Sequence, residues 1–427
     1  MSTIATAPAD LSQAMLWSSD GPHLDAKVNL QAAHQNKGDR LQRREHARSV
    51  IAGFCQFLDQ DRLTSIGFPT AYDLDVTDLL PLMGYVLNNI GDPVAQGSAF
   101  PAHTKAFERQ VVDWFARLLA PDPRKVWGYV TSGSSEAIGW ALLQARSLYP
   151  HAVVYHSADA HFSVSRWAYT LGLPAVSIPT DETGVLDLAA LDRAVRRQAR
   201  RRQWQPPQVI VVATIGTTMT EAVDDVAAIT AILDQAGITR RYIHADAALS
   251  GIPLALLPPQ LRPPFGLADV DSVSVSGHKF LGAPIPSGVV LTHRAHMDAA
   301  ARRIAYVGTT ANTLLSSRSG HGPVMLWYAL LIEGEEGLRA RADHARRIAN
   351  YTVMRLRDVG VWAWRHPHAM TVVLDRPADE VIQRWHLATS GSISHLICMP
   401  RITTAQIDAF CDDVAESVRL RRRRAVR

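Results

Sequence analysis

The sequence has little of what marks disulfide-rich, membrane or secreted proteins. Its 427 residues contain three cysteines, Cys55, Cys398 and Cys411, whose wide spacing suits neither a disulfide framework nor a metal site. No stretch approaches the ~20 apolar residues that a transmembrane helix needs. Residues 1–11 lack a charged segment followed by an apolar run, so we expect no signal peptide. These absences together predict a soluble protein in a reducing compartment, the cytoplasm.

The sequence also has little excess of charge of either sign, since the formal net charge is only +4. The basic residues form two clusters, one at 196–202 and one at 421–424. The first continues a helical pattern from Leu191 and reads as a solvated helix face, and the second reads as a frayed terminus. Because neither is interleaved with aromatic residues, we expect no nucleic-acid partner and no membrane partner.

What is present indicates a large globular chain. Hydrophobic residues make up 47% of the sequence and charged residues 20%, as in ordinary folded proteins. The length suits one large domain with one or two smaller ones. We predict an N-terminal arm and helix at 1–60, a large domain at 61–320 and a small C-terminal α/β domain at 321–427.

Strands and helices alternate through the middle of the chain. Apolar strand patterns, most of them separated by helical ones, occur at 126–130, 152–155, 175–178, 209–214, 242–245, 272–275 and 288–292. The last two strands lie too close for a crossover helix, so that pair should be antiparallel. The pattern predicts an α/β fold with a mixed, mostly parallel sheet.

A lysine and an aspartate follow two of these strands. The run Ser274–Phe280 (SVSGHKF) places Lys279 after an apolar strand, and Asp246 ends the strand before it. Pyridoxal 5'-phosphate (PLP) needs this pair, because a lysine forms a Schiff base with it and a carboxylate keeps its pyridine nitrogen protonated. The alternatives are a surface lysine and a helix N-cap aspartate.

Two further strand ends carry small hydroxyl residues. Thr131–Glu136 (TSGSSE) lies between a strand and a helix, where free N–H groups and the helix dipole favour an anion. The hydroxyls of Ser134 and Ser135 could bind phosphate, although the turn could also be a simple N-cap. Thr214–Thr218 closes a buried strand at the position where open α/β sheets place ligands, or forms only a polar turn.

Histidines complete the set. His161 follows a weak strand and could stack on a flat ring, although a lone histidine is more often a surface or core residue. His278 and Ser276 flank Lys279 and could reach phosphate oxygens. These features all lie at strand ends, in the order anion-binding turn (Thr131–Glu136), histidine, threonines, aspartate and lysine. Their combination favours PLP binding over the alternatives of an N-cap, a polar turn or a surface residue at each position.

At this point the sequence resembles the PLP-dependent group II amino-acid decarboxylases of fold type I, within them the bacterial histidine decarboxylase and plant serine decarboxylase branch. The resemblance extends over nearly the whole chain from about residue 60. The matching segments are Asn89–Pro93, Thr214–Thr220 (in ATIGTTMT), Tyr242–Gly251 (YIHADAALSG), Ser274–Gly288 (SVSGHKFLGAPIPSG), Ser317–His321 (SRSGH) with Trp327, and Arg384–Pro400.

The resemblance implies a PLP-dependent transferase-like fold of type I and a homodimer with active sites shared between subunits. It implies Lys279 as the Schiff-base lysine, Asp246 as partner of the pyridine nitrogen, and His161 stacked on the ring. It places Tyr306 on a mobile segment as a candidate proton donor to Cα. The remaining cofactor contacts would be Ser134, Ser135, Thr217, Ala248, Ser276 and His278, with Ser316 and Ser317 reaching the other subunit's phosphate.

The implied function is decarboxylation of an L-amino acid, with histidine as first substrate and serine as second. Some positions depart from the family's pattern, such as Arg166 for lysine, Ser319 for asparagine and Ala311 for aspartate. These departures bear on the substrate more than on the cofactor. They leave open a diverted reaction, such as an aldehyde synthase or a carbon–carbon bond-forming enzyme, and a non-catalytic PLP-binding protein.

Overall fold

The structure, a computed structural model, is built around a seven-stranded sheet. It describes residues 40–95, 100–201, 206–297, 303–304, 309–310 and 312–425. The sheet has the strand order β2-β8-β7-β6-β5-β3-β4. The strands of the molecule are β1 (Asn88–Ile90), β2 (Val126–Thr131), β3 (Val153–Ser157), β4 (Ala175–Ile178), β5 (Gln208–Thr214), β6 (Arg240–Asp246), β7 (Ser272–Ser276), β8 (Gly288–His293), β9 (Arg303–Ile304), β10 (Thr309–Thr310), β11 (Ser317–Ser319), β12 (Ala363–Trp364), β13 (Thr371–Asp375), β14 (Ala388–Ser390) and β15 (Ile393–Ile397).

Helices connect and cover the strands. The α-helices are α1 (Arg40–Asp61), α2 (Lys105–Leu119), α3 (Ser134–Leu148), α4 (Ser163–Thr170), α5 (Leu188–Arg201), α6 (Val226–Gln235), α7 (Gly251–Ala255), α8 (Arg294–Met297), α9 (His321–Asp358), α10 (Asp379–Trp385) and α11 (Thr404–Ala425). Short 3₁₀ helices cover Thr77–Gly84, Pro123–Lys125 and Pro259–Leu261. Among the described helices, none is both long and apolar enough to cross a bilayer.

The predicted α/β architecture is confirmed. The run from β4 through β3, β5 and β6 to β7 is parallel. Strand β8 pairs antiparallel with β7 and with β2, which confirms the reversed pair expected from the short connection. Every residue of β5 is buried, as its unbroken apolar sequence requires for a strand covered on both faces.

A second sheet follows helix α9. Its order is β12-β13-β15-β14, all antiparallel, and we call it the C-terminal sheet. Helix α9 leads to it over 38 residues and is broken at Gly334, whose φ of 60° and ψ of 177° are not helical.

The sheet topology gathers the polar strand ends at one edge. Thr214 of β5 pairs with Asp246 of β6, and Asp246 pairs with Ser274 of β7. Because these strands are parallel, their carboxyl ends open to the same side, which is where ligands bind in open α/β sheets.

Candidate active site

A cavity of about 280 Å³ lies at this edge of the sheet. The volume is close to the lower end of the ~300–1,000 Å³ typical of small-molecule sites. It is lined by Ser132, Gly133, Ser134, Ser135, Glu136, Ile138, His161, Thr214, Gly216, Thr218, Asp246, Ala248, Ser276, His278, Lys279 and Pro286. The cavity therefore brings together residues from strand ends that are far apart in sequence.

Lys279 lies just beyond β7, in the turn that leads to β8. The turn passes so close to its neighbours that a Cβ at Gly277 would collide with the side chains of Leu326 and Ser287, which would have to shift to admit a larger residue. Burial lowers the pKa of Lys279, while the negative charges of Asp246 and Glu221 act in the opposite direction. A lysine in this setting is neutral, and hence nucleophilic, at a lower pH than a surface lysine.

Asp246 ends β6 and is 4% exposed. Burial raises its pKa, although the nearby Lys279 charge acts in the other direction. Its Oδ1 atom is buried and has no hydrogen-bond partner among the described residues. A buried carboxylate oxygen without a donor is costly, so this atom is suited to a cationic N–H that enters the cavity.

The turn before α3 forms part of the cavity wall. Ser134 begins the helix, and its Oγ lies 2.8 Å from Oγ of Ser276 on β7. Glu136 ties the turn together, because its carboxylate accepts hydrogen bonds from the Ser132 N–H (2.7 Å), the Ser132 hydroxyl (2.8 Å) and the Tyr129 hydroxyl (3.0 Å). The first turn of α3 therefore lines the cavity with Ser134 and Ser135, at the helix end where an anion is favoured.

Two histidines face the same space. His161 Nδ1 lies 2.7 Å from the Ser163 hydroxyl and 3.3 Å from the Ser163 N–H, which makes Nδ1 the acceptor and leaves the proton on Nε2. His278 Nδ1 lies 2.9 Å from the Ser287 carbonyl oxygen. Burial, together with the Lys279 charge, lowers the pKa of both rings, so both are neutral at neutral pH.

Four predicted residues are not among those that line this cavity. The Thr217 hydroxyl lies 2.9 Å from that of Thr220 and accepts from the Ala222 N–H at 3.0 Å, so it supports the turn instead. Ser316 and Ser317 lie at or beside β11, which pairs with β1. Tyr306 lies outside the described residues.

Some contributing residues had no predicted role. Glu136 holds the turn Thr131–Glu136 together, and no capping box marks it in the sequence, since the N-cap Gly133 has no side chain. Ile138 and Pro286 also line the cavity; Ile138 belongs to no motif, and Pro286 lies within the matching segment Ser274–Gly288 but had no predicted role.

The residues present fit PLP. The unpartnered Asp246 Oδ1 could accept from a protonated ring nitrogen, Lys279 could provide the amine, and the turn before α3 could hold an anion. An amine, a buried carboxylate and a helix N-terminus at one edge of a mostly parallel sheet are the arrangement expected of a PLP-dependent enzyme of fold type I.

The chain belongs to the pyridoxal-dependent decarboxylase family, since a model of the pyridoxal-dependent decarboxylase conserved domain matches residues 24–363. It is therefore an amino-acid carboxy-lyase with PLP as cofactor, which confirms the predicted fold, cofactor and enzyme class. The predicted roles of individual site residues stay predictions.

Similar proteins support the assignment along most of the chain. A histidine decarboxylase of Mesorhizobium japonicum is 41% identical over 82% of this chain and 92% of its own length. Serine decarboxylase 2 of Oryza sativa is 34% identical over 86% of this chain and 77% of its own. The solved L-methionine decarboxylase of Streptomyces sp. 590 has a TM-score of 0.80 over 87% of this chain and 95% of its own, at 24% identity, which shows the shared fold.

Proposed function

We propose that this protein decarboxylates L-histidine or a histidine-like amino acid to the corresponding amine and CO2. The observation that carries the chemistry is the unpartnered, buried Oδ1 of Asp246 in the cavity that also contains Lys279. The substrate is inferred from the 41% identity to a histidine decarboxylase. Serine is the second candidate, because rice serine decarboxylases are 34% to 36% identical to this chain.

The chain's own residues would hold the cofactor as follows. Lys279 would carry it covalently, Asp246 would keep the proton on the pyridine nitrogen, and His161 would cover one ring face with Ala248 on the other. Ser134, Ser135, Ser276 and His278 would bind the phosphate. When bound, PLP accepts the electron pair that remains on Cα when CO2 leaves.

The surrounding side chains prepare the site for this step. Desolvation raises the neutral fraction of Lys279, so its amine can attack a carbonyl carbon. A positive charge on the ring nitrogen would ionise Asp246, whose pKa burial otherwise raises. Neutral His161 adds no second positive charge beside Lys279. Tyr306 is proposed to return a proton to Cα.

We infer a homodimer whose subunits share active sites. Three apolar side chains at the end of the first 3₁₀ helix are strongly exposed: Met83 (56%), Tyr85 (66%) and Val86 (76%). Helix α1 runs for 22 residues without burying a side chain. Such surfaces are suited to contact with another copy, which would also bring Ser316 and Ser317 to the partner's phosphate. Light scattering should give twice the 46.8 kDa chain mass.

The domain limits at 60 and 320 and the cytoplasmic location are also proposals. The location is supported by the free state of all three cysteines.

Product analysis tests the proposed reaction. The PLP-loaded protein is incubated with separate L-amino acids including histidine and serine, and CO2 and amine are quantified by mass spectrometry. Histidine should give histamine and CO2, and a Lys279→Ala protein should give neither. Release of ethanolamine from serine alone would favour the second candidate, and an aldehyde with hydrogen peroxide would favour a diverted reaction. No CO2 from any amino acid would contradict both substrate assignments.

A further inference from the structure

Glu221 adopts a backbone conformation that glycine favours. It follows the turn after β5 with a φ of +58°, in the left-handed region that few non-glycine residues occupy. Its N–H donates a hydrogen bond to the Thr217 carbonyl oxygen at 2.9 Å, which closes the turn. The residue is 3% exposed. A left-handed backbone and a buried carboxylate both cost free energy, so we expect interactions of the side chain that offset this cost.

The carboxylate of Glu221 joins two parts of the molecule. Its Oε1 accepts a hydrogen bond from the Ser250 hydroxyl at 2.9 Å. Its Oε2 accepts from the backbone N–H groups of Met370 at 2.9 Å and Thr371 at 2.7 Å, where β13 of the C-terminal sheet begins. One side chain therefore connects the large sheet's ligand edge with a strand about 150 residues away.

The large-sheet end of this connection adjoins the cavity. Gly216, which lines the cavity, lies against Ser250 and Glu221 so closely that a Cβ there would collide with the Ser250 hydroxyl and come within 3.4 Å of Glu221 Cγ. Ser250 lies two residues beyond Ala248, another cavity residue. A shift of the Glu221 carboxylate would therefore move the backbone on both sides of the Asp246 strand end.

The charge of Glu221 also reaches Lys279. The carboxylates of Asp246 and Glu221 both raise the pKa of Lys279 against the effect of burial. Two further cations lie within reach of the Glu221 charge: burial lowers the pKa of Arg346 and of Arg365, and the Glu221 charge acts against that effect in both. Arg346 donates to the carbonyl oxygen of Pro253, and Arg365 donates to that of Ala369, so both stand at the same junction as Glu221.

We propose that Glu221 is a positioning residue that couples the C-terminal sheet to the Lys279 cavity, through its three hydrogen bonds and through its negative charge on the Lys279 side. Glu221 is not among the residues to which a role in cofactor binding was assigned above. The inference rests on Lys279 as the proposed cofactor lysine. The product analysis of Lys279→Ala tests that assignment separately. The role of the Glu221 hydrogen bonds is tested on protein without cofactor, so the two proposals can fail independently.

Two substitutions separate the bonds from the charge. Glu221→Gly removes the carboxylate and suits the left-handed backbone, so this protein should fold. Glu221→Gln keeps the shape: its Oε1 can accept from both β13 N–H groups and its Nε2 can donate to Ser250, while the charge is lost. Glu335→Gln is the matched control, since Glu335 pairs with Arg339 on the surface of α9.

The bonds are tested by hydrogen exchange without PLP. In Glu221→Gly, amides at 369–375 and also at 214–218 and 246–251 should exchange roughly tenfold faster, as expected for loss of hydrogen bonds to a charged group. Glu221→Gln and Glu335→Gln should exchange like the parent. Faster exchange confined to 369–375 would reduce Glu221 to a clamp on the C-terminal sheet and overturn the coupling.

The charge is tested by the pH dependence of the bound cofactor's visible absorbance. The charged groups that act on Lys279 are Asp246 and Glu221, and the Lys279 charge in turn acts on His161 and His278. Removing one of the two negative charges should move the absorbance midpoint to lower pH in Glu221→Gln, with no shift in Glu335→Gln. An unmoved midpoint in Glu221→Gln would overturn the electrostatic part of the proposal.

Discussion

Strands β5 and β7 flank β6 in the central sheet, and they solve the same burial problem in opposite ways. All residues of both strands are buried. Strand β5 is almost entirely apolar, with Val209 and Val211 packed into the core on one face and Ile210 on the other. Strand β7 alternates Ser272, Ser274 and Ser276 with valines, so one whole face of it is polar.

The buried serines of β7 are paired. Ser272 and Ser274 hydroxyls lie 2.7 and 3.2 Å from the two ring nitrogens of His244, and the Ser276 hydroxyl lies 2.8 Å from that of Ser134. Hydrogen bonding offsets the cost of their burial without adding the apolar transfer energy that β5 contributes. We conclude that the apolar residues 209–213 of β5 serve stability, whereas the carboxyl ends of the strands, above all those of β6 and β7, line the cavity.

The largest effect should follow Asp246→Asn at the site end of β6. The amide cannot neutralise a protonated ring nitrogen, so kcat should fall by about 10²–10⁴-fold, the range for loss of a positioned acid–base group. Asp375→Asn, at the exposed end of β13, is the control and should retain full activity. A kcat for Asp246→Asn equal to that of the parent would show that Asp246, and with it the end of β6, does not contribute to the reaction.

Ile210→Ala tests the structural side of the comparison. Ile210 is fully buried, so its truncation should cost about 2–5 kcal/mol of unfolding free energy through lost contacts and a cavity. Urea unfolding measures this loss. The kcat of the remaining folded protein should stay near the parent value, and a selective loss of kcat would show that β5 is not merely structural.

Ser276→Ala tests the polar face of β7 and should act mainly on the cofactor. Loss of one hydrogen bond to a charged phosphate should raise the Kd for PLP by roughly tenfold, while unfolding free energy without PLP changes by less than about 1 kcal/mol. Fluorescence titration with PLP gives the affinity. Val275→Ala, the buried neighbour that faces the other side, should show the reverse pattern.

The smallest effect is a pH dependence of the protein without cofactor. Because burial raises the pKa of Asp246 in the folded state, the folded chain binds more protons than the unfolded chain between the two pKa values. Stability therefore falls as pH rises through that window, which starts near the unfolded value of about 4. The Asp246→Asn protein has no carboxyl group to titrate at this position and should not lose stability in this way. The Tm of Asp246→Asn minus the Tm of the parent should therefore increase with pH through the window and then become constant.

The sequence predicted the central sheet well because hydrophobic periodicity and chain order determine it. It also indicated Lys279 and Asp246, since each directly follows or ends a predicted strand. It could not indicate Glu221, whose partners Met370 and Thr371 lie about 150 residues away and contribute only backbone N–H groups. Nor could it show that the Thr217 hydroxyl turns toward Thr220, because a turn's side-chain directions depend on its backbone angles.

The most direct test of the account is to locate the lysine that carries the cofactor. The chain has only five lysines, Lys27, Lys37, Lys105, Lys125 and Lys279, so the mapping is unambiguous. The PLP-loaded protein is reduced with borohydride, digested and sequenced by mass spectrometry. We predict a single pyridoxyl group, on Lys279. A modification confined to another lysine, or none at a PLP concentration that saturates binding, would contradict the central assignment.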